Sequence, residues 1–310
     1  MRYRRLVICA GTLIVCALPV ILHAQMNVDR NLNAGAFPDS VRSGTFFAAT
    51  HAFTELQRGS GSVGEEQRWD VKAGLTIDLA RWRPHGGLRF SMNAELLANP
   101  YSVTHFNPRG VYFEPVFGVA ERLGGLDWEL SAFHRCRHDV DNIDPPNSAD
   151  INGTRYKRDL ILSGWLLGVS TQPTSLGHRM TSVLSGRVEA YPVRSEERRP
   201  VDLTGPLWNH AVASATIGGR LGRRLTNTVE PYVRGWTTMV VFRAPRQADA
   251  SSNRSYFTER AELGARFAGV GGNIDGFVAY ERTFDDLSPP HARAGHVLFA
   301  GVRLAARGFM

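Results

Sequence analysis

Apolar side chains recur at every second position through most of this sequence. A period of two commits a chain to β-strands, because successive side chains then point to opposite faces. Trp69, Val71, Ala73, Leu75, Ile77 and Leu79 alternate with Asp70, Lys72, Gly74, Thr76 and Asp78. Leu88, Phe90, Met92, Ala94 and Leu96 alternate with Arg89, Ser91, Asn93 and Glu95, and the pattern returns over 111–119 and 126–132. Weaker copies lie at 180–190, 229–241, 257–267, 274–280 and 298–304. Segments 46–56, 160–170 and 208–221 alternate poorly but have strand-like composition and spacing. The total comes to about twelve strands, counted by this two-residue period.

Two architectures use such a pattern. A soluble secreted β-sandwich turns its apolar faces inward and is usually built from strands of about five or six residues. Here many segments run about ten to fourteen residues, the length a tilted strand needs to cross a bilayer. Their polar faces carry Asp, Glu and Arg together. Connections also alternate in length. Those at 81–87, 123–125, 172–177, 222–227 and 269–273 are short, whereas those at 99–109, 139–157, 194–207, 244–254 and 284–293 are longer and rich in Pro, Asp and Ser. Lipid cannot satisfy an open sheet edge, so a spanning sheet has to close. The expected fold is all-β: a closed antiparallel transmembrane β-barrel of about twelve strands, with short periplasmic turns and longer extracellular loops. The last strand resembles the closing strand of outer-membrane proteins, with Phe309 penultimate and Met310 after it.

The N-terminus sets the compartment. Arg2, Arg4 and Arg5 precede an apolar run over 6–22 that ends at His23-Ala24-Gln25. That is the layout of a cleaved secretory signal; the run is short for a retained membrane helix. Expected boundaries are 1–24 for the signal, 25–42 for a flexible periplasmic lead-in and 43–310 for the barrel, which places the chain in the bacterial outer membrane. Cys9 and Cys16 leave with the signal, so Cys136 is the one mature cysteine and no internal disulfide is expected. The net charge of +7 includes the three arginines of the signal, and the remaining basic residues are scattered among acids. Nucleic-acid binding is therefore not expected. The expected partners are outer-membrane lipid, lipopolysaccharide and the barrel-assembly machinery.

Alternation assigns Arg89, Glu95, Glu114, Arg187, Glu189, Glu230, Arg234, Arg260, Glu262, Glu281 and Arg303 to the lumen. They could line a conduit, or pair with one another and fill a narrow interior. Glu114-Pro115 and Glu230-Pro231 occupy matching places in two strands, with each proline outward and expected at a bulge.

One cluster stands apart: Phe133-His134-Arg135-Cys136-Arg137-His138-Asp139-Val140-Asp141, at the outer end of the expected fifth strand, with Tyr156-Lys157-Arg158-Asp159 opening the sixth. His134, Cys136 and His138 share a face, and continuing the parity of Trp128 and Leu130 turns that face toward lipid. Arg135 and Arg137 then point inward, toward lumenal acids. His134, His138, Asp139 and Asp141 could hold a divalent cation such as zinc, and the acidic loop through Asp144 and Asp150 could hold calcium. No other cofactor is expected. A third reading makes the cluster a polar rim bonded to lipopolysaccharide headgroups.

His134-x-Cys136 resembles the His-x-Ser element of the outer-membrane phospholipase A and lipid A deacylase barrels, with Cys136 where those enzymes carry serine. The resemblance implies a nucleophile at Cys136, a base at His134 and an orienting group on the neighbouring strand, for which Asp159 and Asn152 are the candidates. The segment also resembles an uncharacterised family of Gram-negative barrel proteins with His-x-Ser-x-His and Ser-Arg-Asp elements. His134, Cys136, His138 and Asp159 are thus the candidate catalytic set. The leading functional expectation is a non-enzymatic pore, binder or structural component; a lipid acylhydrolase is the alternative.

Overall fold

In a computed structural model, the described residues are 50–61, 69–83, 85–99, 107–139, 157–177, 179–199, 210–243, 255–269, 271–283 and 295–307. The expected signal, the lead-in and the chain end at Phe309 and Met310 lie outside them. Twelve long strands form: β1 (Thr50–Gly61), β2 (Trp69–Arg83), β3 (Gly86–Asn99), β4 (Asn107–Leu123), β5 (Leu126–Asp139), β6 (Lys157–Thr171), β8 (Met180–Arg199), β9 (Ala211–Arg223), β10 (Val229–Phe242), β11 (Ser255–Ala268), β12 (Gly272–Thr283) and β13 (Gly295–Arg307). A two-residue strand, β7 (Thr174–Ser175), folds back on β8 within what reads in the sequence as a plain turn.

Each long strand pairs antiparallel with its neighbours. β1 closes on β13 from His51↔Arg307 to Gly61↔Val297, and β6 pairs β8 past the short β7. The barrel is closed and leaves no edge to lipid. β1 runs beyond the expected 46–56 to Gly61, and 46–49 lie outside the described residues. At one end the connections are tight: Gly124 and Gly125 join β4 to β5 at φ 61° and 81°, values that a Cβ would strain. At the other end the connections 62–68, 100–106, 140–156, 200–209, 244–254 and 284–294 lie outside the described residues.

The wall is inverted relative to a soluble protein. Leu56, Phe117, Leu130, Trp165, Leu184, Val233, Leu263, Val278 and Leu298 are exposed on the outside, while Glu55, Asp70, Glu114, Arg135, Arg260, Glu262, Asp275 and Arg303 are buried within. A sandwich would bury the first set, so that architecture is excluded. The interior is only partly polar. Val116, Phe133, Leu160, Leu162, Leu166, Tyr191, Val240 and Phe242 form an apolar cluster inside one side of the barrel. This explains the poor alternation of β6, whose inward Leu160, Leu162 and Leu166 oppose outward Ile161, Trp165 and Leu167.

The prolines correct one expectation. Neither Pro115 nor Pro231 sits at a bulge. Pro231 pairs in register with Ala265, just beyond the last rung of the β9–β10 ladder at Tyr232↔Gly222. Pro115 interrupts the β4–β5 ladder, which runs Phe113↔Cys136 and then Val116↔Phe133 without changing register. A residue with no N–H can skip a rung without adding one. The shift falls instead between Ser163 and Trp165 of β6, opposite Tyr191-Pro192 of β8. There a Cβ on Gly164 would overlap the Ala190 carbonyl oxygen and crowd Pro192. Gly164→Ala is expected to destabilise the barrel by about 1–3 kcal/mol through overpacking, seen as a lower temperature for loss of heat-modifiable gel mobility. An unchanged temperature would show that the bulge relaxes freely.

Candidate functional site

The interior holds two charge clusters. In the first, the Arg303 guanidinium meets Glu55 (Nε–Oε2 2.7 Å), Glu262 (3.0 and 2.9 Å) and Asp275 (3.6 Å). Arg260 reaches Glu55 (3.3 Å), Glu262 (3.2 Å) and Glu281 (3.2 Å). The Tyr232 hydroxyl donates to Glu262 at 2.7 Å. Arg260 bridges from β11 to β1 past two intervening strands, so the cluster ties together four consecutive strands of the inner wall. Arg260 also lies over the rings of Trp236, Phe277 and Phe299, which cover its faces. Lys72 extends this cluster to Asp70 (3.2 Å) and Glu95 (3.7 Å).

In the second cluster Arg135, with no side-chain exposure, meets Glu114 (2.7 Å) and Glu189 (2.9 Å), and Arg187 meets Glu189 (2.6 Å). Tyr112 donates to Glu114 at 2.9 Å, and Tyr191 donates to Glu189 at 2.7 Å. Arg89 pairs with Asp78 (2.9 Å), Glu230 with Arg220 (2.6 Å), and Arg234 lies 4.9 Å over Trp236. Arg137 points inward and lies over the Tyr112 ring at 5.4 Å, and among the described residues no ion pair joins it to an acid. Among the described residues these inward side chains pair with and pack against one another.

On the outside, β5 presents His134, Cys136 and His138 in a row, and the β5–β6 register decides their partners. His134 stands opposite Ser163, Cys136 opposite Ile161, and His138 opposite Asp159. His134 Nδ1 and the Ser163 hydroxyl share a hydrogen bond of 2.8 Å. His138 Nδ1 donates to Asp159 Oδ1 at 3.1 Å, with 42 % of the His138 side chain and 22 % of the Asp159 side chain exposed. The Cys136 thiol donates to the Phe113 carbonyl at 3.8 Å.

The candidates other than Cys136 therefore fall into two separate cross-strand pairs, His138 with Asp159 and His134 with Ser163, and Cys136 stands between them. Of the two groups expected to orient His134, Asn152 lies outside the described residues and Asp159 holds His138, four residues along β5; Ser163 holds His134. Ser163 was missed because β6 alternates too weakly for its outward positions to be read. Its rung lies between the Pro115 gap on one side and the Gly164 bulge on the other, and such ladder irregularities gather at places where a side chain is re-aimed.

His134 and His138 stand four residues apart on extended strand, about 13 Å along the backbone, and each is bonded to its own partner on β6. Asp141, Asp144, Asp150 and Asn152 lie outside the described residues, as does the side chain of Asp139. Among the described residues no three His, Cys, Asp or Glu side chains gather to hold a metal.

No family profile matches this sequence, and no curated protein matches it. Solved structures similar in fold are bacterial outer-membrane barrels. The translocator domain of the autotransporter NalP from Neisseria meningitidis is 13 % identical, with 86 % of this chain and 90 % of that one covered and a TM-score of 0.37. The outer-membrane phospholipase A of Escherichia coli is 11 % identical, with 84 % and 94 % covered and a TM-score of 0.37. The porin NanC is 10 % identical, with 82 % and 98 % covered and a TM-score of 0.42. At these scores the likenesses assign neither a role nor a site to this chain.

Proposed function

We propose that this chain is an outer-membrane barrel with a sealed interior that works at its lipid-facing wall, as a binding or structural component and not as a conduit. The observation that carries this reading is the burial of Glu55, Glu114, Arg135, Arg260, Glu262 and Arg303, at 0–4 % exposure, in ion pairs along the inner wall that reach past as many as two intervening strands. A water-filled pore would leave such side chains wet. Purified protein in planar bilayers is therefore expected to show no steady conductance. Stepwise openings from the wild-type barrel would overturn the reading.

A second reading is favoured by the His138–Asp159 pair: hydrolysis of an acyl ester of a bilayer lipid at the outer end of β5. A carboxylate bound to Nδ1 fixes the tautomer and leaves Nε2 to accept a proton. To react, the Cys136 side chain would turn from the Phe113 carbonyl toward His138. Nε2 takes the thiol proton as sulfur bonds to the acyl carbon, then returns it to the departing alkoxide. Water, deprotonated by the same nitrogen, cleaves the thioester to a fatty acid and restores the thiol. Release of fatty acid from phospholipid micelles, lost in Cys136→Ala, would support hydrolysis. No release from wild type leaves the wall a binding surface.

A further inference from the structure

On the opposite side of the barrel, the same long-connection end carries a run of basic residues that none of the roles above uses. Arg58 lies on the outward side of β1, Arg282 on that of β12 and His296 on that of β13, and Arg243 is exposed one residue beyond β10. β10, β11, β12, β13, β1 and β2 are consecutive in the barrel, so these residues occupy one continuous arc. Arg282 and His296 are directly paired across the ladder, and Arg58 is paired with Trp69.

Aromatic side chains accompany them. The Arg58 guanidinium lies 5.4 Å over the Trp69 ring, and the Tyr280 hydroxyl bonds His296 Nδ1 at 2.6 Å with the two rings stacked. Such amphipathic rings mark the level where hydrocarbon meets headgroups. Among the described residues no carboxylate forms an ion pair with Arg58, Arg243 or Arg282. Glu259, across from Arg282 in the β11–β12 ladder, is buried and does not bond it. This contrasts with the interior, where Arg135, Arg260 and Arg303 each meet two or more acids. Arginines on a membrane-facing wall need an anion from somewhere, because a bare cation at that boundary is costly.

We propose that this arc binds the phosphate groups of anionic membrane lipid, with Arg58 and Arg282 as the principal contacts and Trp69 and Tyr280 seating the adjoining acyl and glycerol region. The guanidinium fork suits a phosphate's paired oxygens. The proposal rests on the reading of the barrel as membrane-embedded, and it stands whether or not the β5–β6 wall hydrolyses lipid.

The full barrel, reconstituted in phosphatidylcholine doped with brominated phosphatidylglycerol or with brominated phosphatidylcholine, tests it through quenching of tryptophan fluorescence. The part of the signal lost in Trp69→Phe reports on the arc, and quenching of the remaining tryptophans reports insertion itself. Each surface cation is worth about a fivefold preference for an anionic lipid. The Trp69 signal is therefore expected to be quenched preferentially by the anionic lipid in wild type. That preference should be lost in R58Q/R282Q and retained in R58K/R282K. Equal quenching by both lipids in a wild-type barrel whose other tryptophans are quenched would overturn the proposal. So would a preference that survives in R58Q/R282Q. If R58Q/R282Q does not fold, the lipid preference of wild type alone decides. No quenching of any tryptophan would instead refute membrane insertion.

Discussion

Arg303→Ala is expected to lower the stability of the barrel by about 3–5 kcal/mol, the cost typical of removing one partner from a buried ion pair. The interior geometry accounts for the size. Arg303 donates to Glu55 and to both oxygens of Glu262, and lies 3.6 Å from Asp275. Its guanidinium also lies 4.8 Å from the centre of the Phe277 ring. Truncation leaves three carboxylates facing one another with Arg260 still bound to two of them. A lost neutral hydrogen bond costs only about 1 kcal/mol, so uncompensated charge dominates. The check is urea-induced unfolding of the barrel in lipid vesicles. The double variant Arg303→Leu with Glu262→Leu is expected to recover part of the loss, because it removes charge from both sides. An Arg303→Ala barrel as stable as wild type would mean that water reaches these acids, and the sealed interior would have to be abandoned.

On the hydrolytic reading, Asp159→Ala and His138→Ala each reduce fatty-acid release by on the order of 10²–10⁴, the usual worth of a positioned acid–base group. His134→Ala falls well short of that, because its imidazole is held by Ser163 and not by a carboxylate. The ranking separates this geometry from the one implied by the His-x-Ser resemblance, in which His134 is the base. Measured rates for the three variants, with heat-modifiable mobility as the check on folding, decide between them. If His134→Ala is the dead enzyme and Asp159→Ala retains full activity, the roles given to His138 and Asp159 are wrong. A Ser163→Ala variant with wild-type rate fits a structural His134–Ser163 pair.

Much of the wall is legible in the sequence because its two faces differ in kind. In β2, Asp70, Lys72, Thr76 and Asp78 are buried while Val71, Leu75 and Ile77 face outward, so the period of two is clean. It fades in β6, where Leu160, Leu162 and Leu166 line the inside and apolar residues occupy both faces. In β1 the inward residues are Glu55 and Gln57, at the far end of the segment 46–56, where the sequence alternates poorly.

The candidate site is legible on one strand only. Parity alone puts His134, Cys136 and His138 on the outer face, but their partners depend on the β5–β6 register. That register follows a connection, 140–156, for which sequence fixes no geometry. A slip of two residues would set Asp159 opposite Cys136 instead of His138 and leave every face unchanged, so alternation has no power to choose. Glu55 and Asp275 are similar cases. Asp275 opposes the apolar face of its segment, whereas Glu55 lies in a segment that alternates poorly, and their shared contact with Arg303 appears only when β1 closes on β13.

The central claim is that the apolar outer faces meet hydrocarbon while the ionised side chains are enclosed. Nitroxide labels on single cysteines test it most directly, in a Cys136→Ser background reconstituted in vesicles. Labels go at outward Leu130, Leu263 and Leu298 and at inward Thr258 and Ser214. Collision with molecular oxygen, which concentrates in hydrocarbon, is compared with collision with a water-soluble nickel chelate. The expected result is oxygen-dominated relaxation at the three leucine positions and little access for either agent at the two inward ones. Nickel-dominated relaxation at Leu130, Leu263 and Leu298 would place those faces in water and contradict the account.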